Sequence, residues 1–550
     1  MPNIAVHLAE MARLQPSRPA VICARGRDAQ GAVAYEQLSF HELEEASNRL
    51  ARALDGAGIR RGVRTALMVP PSLDFFTLTF ALFKAGAVPV LIDPGIGIRS
   101  LKACLAHAQP EAFIGVPKAH AARALLGWAR ASIRINVTVG AKWFWSGRTL
   151  SELRERIPAG QPFAAVEPSP DETAAILFTS GSTGAPKGAV YTHEMFGAQV
   201  SHIRGLYGIE AGEMDLATFP LFALFGPALG MTAVVPEMDA SRPASADPAN
   251  IVGAIGKFGI TNMFGSPALI DRVGRHGEAH GIKLPSLRRA ISAGAPVPAR
   301  VLARFAAMLS PGAQIFTPYG ATECLPVASI GSDEVLGDTR DRTDHGAGVC
   351  IGRPVPGLVA KVIRITDEPI ALWDDALVLP AGEVGEIAVK AVHATRAYFN
   401  LPAASALAKI PDLVNGGFYH RMGDVGYFDE RGRLWFCGRK AHRVVTPQGT
   451  RFTVRCEGVF NASPRVLRTA LVGVRRNGAV EPVLCVELEP AARGDSKEAI
   501  RAELHDLGSR NECTRQIETI LFHPAFPVDA RHNAKIFRDQ LALWAGRQLQ

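Results

Sequence analysis

The chain has 550 residues, which is too long for one compact core and predicts two or more domains. Hydrophobic residues make up 47% and charged residues 20%, proportions typical of a globular protein. The formal charge of +8 is spread along the chain without a long basic run or an interleaving of basic and aromatic residues. Composition therefore argues against nucleic-acid binding.

Cysteine usage and the chain's apolar segments bear on its compartment. The eight cysteines are dispersed, with no CxxC pair and no zinc spacing, which predicts reduced thiols and a cytoplasmic protein. Met1–Glu10 lacks a basic start followed by an apolar stretch, so no signal peptide is expected. Leu216–Pro236 carries no charge, but Pro220 and Pro227 interrupt it, so we expect no transmembrane segment.

The N-terminal third alternates helix-like and strand-like segments. Ser39 and Glu42 form a capping-box pattern at the start of a helix that stops at Gly56–Gly58. The next elements are two strands, at Thr65–Val69 and Val88–Ile92, around a buried helix from Ser72 to Gly86. Such alternation predicts an α/β protein with parallel sheets covered by helices.

A glycine-rich stretch follows the apolar run Thr173–Phe178, which predicts a buried strand. Residues 179–188 contain four hydroxyl side chains, three glycines and Lys187. Backbone without Cβ atoms can close around an anion, and the hydroxyls and the lysine favour a polyphosphate. An ordinary surface loop is the alternative. The stretch is not a Walker A loop, because Pro186 precedes the lysine and Gly188 follows it.

This stretch resembles the phosphate loop of the adenylate-forming superfamily, which includes acyl-CoA synthetases, luciferases and peptide adenylation domains. Further motifs follow in the family's order, and the resemblance covers residues 35 to 540. It implies that a carboxylate attacks the α-phosphate of ATP, releasing pyrophosphate and forming an acyl-AMP. It also implies a large N-terminal α/β domain with helix-covered sheets, residues 1–438, and a small mobile C-terminal α+β domain, residues 439–550.

The resemblance assigns roles to individual residues. Glu323 would hold Mg²⁺, which prefers carboxylate and phosphate oxygens. Asp424 would accept both ribose hydroxyls, and Lys535 would bridge the carboxylate and the α-phosphate as charge accumulates. The other implied ATP contacts are the phosphate loop (Thr179, Ser180, Gly181, Ser182, Thr183, Gly184, Lys187), the adenine cover (Gly294, Ala295, Pro296), the ring of Tyr319 with Gly320 and Ala321, Thr322 at the α-phosphate, and Arg439 at the ribose or phosphate.

The chain departs from the family's pattern near the acyl group and at the hinge. Ala223 replaces a histidine beside the carboxylate, which is either a core substitution or a widened pocket. The candidate acyl pocket comprises Phe222, Ala223, Phe225 and Phe264. Ala441 stands where relatives carry the charged hinge residue for the second half-reaction. Farther on, Val483–Leu488 alternates apolar and polar residues from Cys485 onward, which predicts a half-exposed strand.

Within the superfamily, the chain is most similar to the bacterial enzymes that form β-lactones in long-chain olefin biosynthesis. This resemblance implies a 2-alkyl-3-hydroxyalkanoic acid substrate whose hydroxyl closes the ring, with other enzymes of the hydrocarbon pathway as partners. A fatty acyl-CoA or fatty acyl-AMP ligase is the alternative. An inactive scaffold is a third reading, against which Lys187, Glu323, Asp424 and Lys535 argue. His193 is a candidate base for the hydroxyl proton, with a structural role as its alternative.

Overall fold

The computed structural model describes residues 2–158, 160–178, 186–219, 225–476, 478–529 and 535–550. The described helices are Val6–Leu14, Phe40–Gly56, Leu73–Lys84, Ile98–Ala108, Pro117–Leu126, Leu150–Glu155, His193–Tyr207, Pro248–Phe258, Pro267–His280, Ala299–Ala306, Ser332–Glu334, Arg340–Asp344, Pro402–Ala408, Thr453–Asn461, Lys497–Ser509 and Arg538–Gln548. Within these ranges, no helix is both long and apolar enough to cross a bilayer.

The strands are numbered in chain order. They are β1 (Pro19–Arg27), β2 (Val33–Ser39), β3 (Arg64–Met68), β4 (Val88–Leu91), β5 (Ala112–Gly115), β6 (Ile135–Thr138), β7 (Arg148–Thr149), β8 (Thr173–Phe178), β9 (Gly188–Thr192), β10 (Met214–Ala217), β11 (Thr232–Val235), β12 (Asn262–Phe264), β13 (Arg289–Ile291), β14 (Gln314–Ala321), β15 (Cys324–Gly331), β16 (Val349–Pro354), β17 (Val359–Ile363), β18 (Gly385–Lys390), β19 (Lys409–Pro411), β20 (Phe418–Phe428), β21 (Leu434–Arg439), β22 (Val444–Thr446), β23 (Gly449–Arg451), β24 (Val466–Arg476), β25 (Ala479–Leu488) and β26 (Thr519–Phe522).

Two large sheets organise the part of the chain that ends with β21, at residue 439. One has seven strands in the order β7-β6-β5-β3-β4-β8-β9, parallel except at β9. The other has fourteen strands, and its stretch from β1 through β11, β10, β12 and β13 to β14 is parallel. Because strands β3 to β6 alternate with helices, the parallel, helix-covered architecture predicted from the sequence is confirmed.

Local signals in the N-terminal third are confirmed to within a residue or two. The capping box is present: Glu42 N donates to Ser39 Oγ over 3.2 Å, and Ser39 N donates to Glu42 Oε2 over 2.8 Å. The strand predicted before the phosphate loop is β8, with the bounds that the apolar run indicates. All eight cysteines are free and seven of them are buried, in agreement with structural thiols.

The C-terminal residues form a smaller α+β unit. Its three-stranded sheet, β24-β25-β26, is antiparallel between the first two strands and parallel between the last two. Arg300 connects it to the large part by donating to the carbonyl oxygens of Val466 and Leu467 over 2.7 and 2.5 Å. The predicted domain boundary between residues 438 and 439 falls in β21, and it stays a prediction.

The predicted half exposure of Val483–Leu488 is wrong. This segment belongs to β25, the central strand of the small sheet, and all six of its residues are buried. Leu484 packs into a cluster on one face of the sheet and Cys485 into a separate cluster on the other. Glu487 looks like an exposed position in the sequence, but its carboxylate accepts from Arg468 Nε over 2.7 Å and from Phe526 N over 2.9 Å.

Candidate active site

One large cavity, of about 1330 Å³, brings together residues that are far apart in the chain. Its walls come from both large sheets, from the segment after β21 and from the C-terminal unit. Ten residues predicted for the site line it: Lys187, Phe225, Phe264, Gly294, Gly320, Ala321, Thr322, Glu323, Arg439 and Lys535. Motifs that the sequence orders from residue 187 to residue 535 therefore converge in space.

The remaining predicted site residues divide into two groups. Ala295, Pro296, Tyr319 and Asp424 do not line the cavity, but each lies within two positions of a residue that does. Thr179, Ser180, Gly181, Ser182, Thr183 and Gly184 of the phosphate loop, with Phe222 and Ala223 of the acyl pocket, lie outside the described residues.

Asp424 lies on β20 with a hydrogen-bonding oxygen still available. The Tyr319 hydroxyl donates to its Oδ2 over 2.6 Å. Arg439 Nη1 is 3.1 Å from Oδ1, yet no hydrogen-bond donor satisfies that buried oxygen within the described ranges. Burial raises the pKa of Asp424, and the nearby Arg439 opposes that rise. The arrangement suits a carboxylate that accepts a ligand hydroxyl.

The Tyr319 ring is held by the same contact. Its hydroxyl is fixed by Asp424, and its centroid lies 6.1 Å from that of Phe436. The Tyr319 side chain does not line the cavity, whereas its neighbours Pro318 and Gly320 do. Stacking of this ring on an adenine therefore stays a prediction.

Glu323 follows β14 and is oriented by Tyr398, a residue that the sequence analysis did not identify. The Tyr398 hydroxyl donates to Glu323 Oε1 over 2.7 Å. Lys187 Nζ lies 5.0 Å from the centroid of the Tyr398 ring, so the tyrosine connects the phosphate-loop lysine with the carboxylate. Phe399 N donates to Gly188 O over 2.8 Å, which holds this segment beside β9. The contact spans more than 200 residues, and no local pattern marks it.

Lys535 belongs to the C-terminal unit and lines the cavity. Its backbone N donates to Asp529 Oδ1 over 3.0 Å, and its carbonyl accepts from Asp529 N over 3.0 Å. An antiparallel bridge pairs Val528 with Ile536, the residue after Lys535. Lys535 thus lines the same cavity as Thr322 and Glu323 of the large part.

Comparison with known proteins identifies the family. The profile described as AMP-binding enzyme matches residues 8–399, which is more than half of the chain. The chain belongs to the AMP-binding enzyme family.

Two relatives are similar over their full length. One, from Xanthomonas campestris pv. campestris, is named "Olefin beta-lactone synthetase" and is 50% identical over 99% of this chain and 98% of its own. The other, from Stenotrophomonas maltophilia, has the same name and is 51% identical over 100% and 99% of the two chains. ATP-bound MatB from Rhodopseudomonas palustris shares the fold, with a TM-score of 0.80 and 20% identity over the whole of both chains.

This AMP-binding enzyme also holds a buried lysine whose charge interacts with Glu323. Lys409, on β19, is 8% exposed, and its Nζ lies 3.0 Å from His420 Nδ1 and 3.4 Å from Thr395 Oγ1. Burial lowers the pKa of Lys409 to about 7, and the charge of Glu323 opposes that shift. Burial and the nearby lysine hold the pKa of His420 well below its usual value. His420 itself lines the cavity.

Basic side chains on both sides of Ala441 contact the large part of the enzyme. Lys440 Nζ donates to Thr366 O over 2.8 Å and lies 3.2 Å from Glu386 Oε2. Arg443 Nη2 lies 2.5 Å from a carboxylate oxygen of Asp367. Ala441 lines the cavity, so its small side chain leaves room there. The sequence pointed to the missing hinge charge, but not to the ion pairs beside it.

His193 has a structural role. Its Nδ1 accepts from Ile4 N over 3.2 Å, and its ring packs edge-on against Phe83 with centroids 5.9 Å apart. Burial lowers the pKa of His193 to about 4. The side chain is not among the residues that line the cavity. His193 therefore holds the N-terminal segment and is not placed to take a proton from a substrate.

Removing the Tyr398 hydroxyl tests whether it orients Glu323. We expect Tyr398→Phe to slow ATP–pyrophosphate exchange roughly 10- to 100-fold, because a hydrogen bond to a charged group contributes about 1.5–3 kcal/mol. Tyr207→Phe is the matched control, since that buried hydroxyl contacts only the neutral Ser329 hydroxyl, at 3.2 Å, among the bonds described. Equal pyrophosphate-exchange rates in the two variants would show that the Tyr398 hydroxyl does not contribute to the reaction by orienting Glu323.

Proposed function

We propose that this enzyme uses ATP and Mg²⁺ to adenylate a 2-alkyl-3-hydroxy fatty acid, whose 3-hydroxyl then closes a β-lactone. The products are the lactone, AMP and pyrophosphate. The observation that carries adenylation is the convergence of Lys187, Thr322, Glu323, Arg439 and Lys535 on one cavity. The lactone-forming step is supported by the names of the two full-length relatives.

In the first step, a carboxylate oxygen of the acid bonds to the α-phosphorus, and the bond from that phosphorus to the bridging oxygen breaks. Pyrophosphate leaves with the electron pair. Negative charge grows on the α-phosphate oxygens, where the ammonium of Lys535 and the hydroxyl of Thr322 can stabilise it. Holding the acid and ATP in one cavity also makes the attack effectively intramolecular.

The residues around Glu323 fit a magnesium ion, which the Glu323 carboxylate would hold. Tyr398 occupies one carboxylate oxygen and leaves the other for a cation. A single carboxylate completed by phosphate oxygens and water is a usual donor set for Mg²⁺. When bound, the ion would offset the charge on the phosphates.

In the second step, the 3-hydroxyl oxygen bonds to the carbonyl carbon of the acyl-AMP. The bond from that carbon to the AMP oxygen breaks, AMP leaves, and the hydroxyl proton passes to base or solvent. Attack within one molecule can reach effective molarities of about 10⁵ M or more, although a strained four-membered ring attains less. The cavity must therefore hold the hydroxyl in line and exclude water.

The tethered segment around Ala441 supports a second step without a large rotation. Rotation of the C-terminal unit about residue 441 would have to break the contact of Arg443, which follows the pivot, with Asp367. An intramolecular attack needs no second substrate, so this rotation is not required for it. We therefore propose that CoA is not a substrate.

The size and walls of the cavity suit a branched lipid. Its volume of about 1330 Å³ exceeds the usual range for small-ligand sites, about 300–1,000 Å³. Much of the wall is aromatic: Phe75, Phe80, Phe83, Trp128, Phe196, Phe219, Phe225 and Phe264. Such a space holds ATP and two alkyl branches. Since a β-lactone is a strained ester, we propose that another enzyme of the same hydrocarbon pathway consumes it.

A matched pair of acids tests the proposal. With ATP and Mg²⁺, a 2-alkyl-3-hydroxy acid should give a β-lactone and stoichiometric AMP. The 3-deoxy acid should support pyrophosphate exchange but stop at the adenylate, because it lacks the nucleophile. Mass spectrometry of the products separates the two results. Rapid AMP release from the deoxy acid would show that water or another nucleophile completes the reaction.

A further inference from the structure

Most of the net charge lies in one segment of the chain. Residues 97–149 contain eight lysines and arginines and one acidic residue, Glu111, a net +7 out of the whole chain's +8. No continuous basic run marks this segment, so the charge looks dispersed in the sequence. Helices Ile98–Ala108 and Pro117–Leu126, which carry part of this charge, pack against the same sheet.

One edge of that sheet combines these cations with exposed apolar side chains. Strands β3 to β6 are parallel, so the residues after β4, β5 and β6 meet at their common carboxyl edge. There Ile98 is 63%, Trp143 55% and Phe144 72% exposed. The exposed cations Arg99, Lys118 and Lys142 follow the same three strands. We call these six residues the aromatic edge.

The aromatic edge adjoins the end of the cavity. Lys118 and Ala119 line the cavity at the start of helix Pro117–Leu126. The next residue, His120, stacks on Trp145 with ring centroids 5.1 Å apart. Trp145 in turn contacts both exposed rings, with centroids 5.5 Å from Trp143 and 5.2 Å from Phe144. A buried aromatic residue thus anchors the exposed pair next to the cavity wall.

We propose that the aromatic edge docks on an anionic lipid bilayer. Tryptophan and phenylalanine insert at the boundary between headgroups and acyl chains, and clustered lysines and arginines attract anionic lipids. Both features occur here together, beside a cavity whose apolar walls suit alkyl chains. The argument from the cavity rests on the proposed lipid substrate. The arguments from the exposed rings and from the charge are independent of it.

Vesicle binding tests the docking without any catalytic step. Full-length enzyme is sedimented with phosphatidylcholine vesicles that contain or lack phosphatidylglycerol, in the absence of ATP and acid. We expect binding to the anionic vesicles, and a loss of that binding as salt rises. Trp143→Ser/Phe144→Ser should lower the partition coefficient at least tenfold. Arg99→Glu/Lys142→Glu should lower it roughly 25-fold or more, because each basic residue contributes about fivefold.

The control is an exposed apolar pair elsewhere. Leu413 and Val414 are 77% and 91% exposed, and Leu413→Ser/Val414→Ser should bind vesicles like the wild type. Thermal melting, and pyrophosphate exchange with a water-soluble acid, confirm that each variant is folded. Wild-type enzyme that stays in the supernatant with both vesicles would overturn the proposal and favour a protein partner. An equal loss of vesicle binding in Trp143→Ser/Phe144→Ser and in the control Leu413→Ser/Val414→Ser would also overturn the proposal. Since no substrate is present, failure of the lactone chemistry leaves this result unaffected.

Discussion

Lys535→Ala should lower ATP–pyrophosphate exchange by roughly 10² to 10³, the usual effect of removing one preorganised electrostatic contact from a transition state. The lysine is the residue of the C-terminal unit that meets the predicted phosphate and metal residues at the cavity. Its loss leaves the predicted nucleotide-binding residues of the large part in place. We therefore expect the affinity for ATP to fall much less than the rate.

Lys497→Ala is the control for Lys535→Ala. Lys497 is an exposed lysine at the first position of helix Lys497–Ser509 in the same unit, so its removal changes the net charge equally. Both variants should melt at the wild-type temperature, since the backbone of Lys535 keeps its two hydrogen bonds with Asp529 when the side chain is removed. Near-normal exchange in Lys535→Ala would exclude this residue from the adenylation step.

Much of the fold could be read from local patterns. The capping box at Ser39 and Glu42 and the apolar run of β8 are short-range signals, and they predicted the elements with small errors. The order of the motifs predicted one site from Lys187 to Lys535, and ten of the fourteen described site residues line one cavity.

What sequence reasoning missed depends on contacts between distant segments. Tyr398 reaches Glu323 because its segment pairs with β9, more than 200 residues away. The burial of Lys409 depends on β19 joining β20, and its own neighbours carry no sign of it. The polar pattern of β25 was misread because Glu487 is satisfied inside the protein by Arg468. Periodicity reports which positions are apolar and does not report which polar groups find partners.

The second large effect concerns CoA. We expect lactone formation to proceed at the same rate with and without CoA, because the hydroxyl that attacks the carbonyl belongs to the same molecule. The contact between Arg443 and Asp367, which crosses the hinge position at residue 441, agrees with a chain that need not rotate between its two steps. A ligase would instead stall after adenylation until CoA is added.

Tracing oxygen from the substrate carboxylate is the most direct measurement of the central claim. A 2-alkyl-3-hydroxy acid labelled with ¹⁸O in both carboxylate oxygens is incubated with ATP and Mg²⁺, with and without CoA. One ¹⁸O should appear in AMP and the other in the lactone carbonyl, while the ring oxygen comes unlabelled from the hydroxyl. Addition of CoA should change nothing. AMP without label, or an acyl-CoA formed only when CoA is present, would contradict the account.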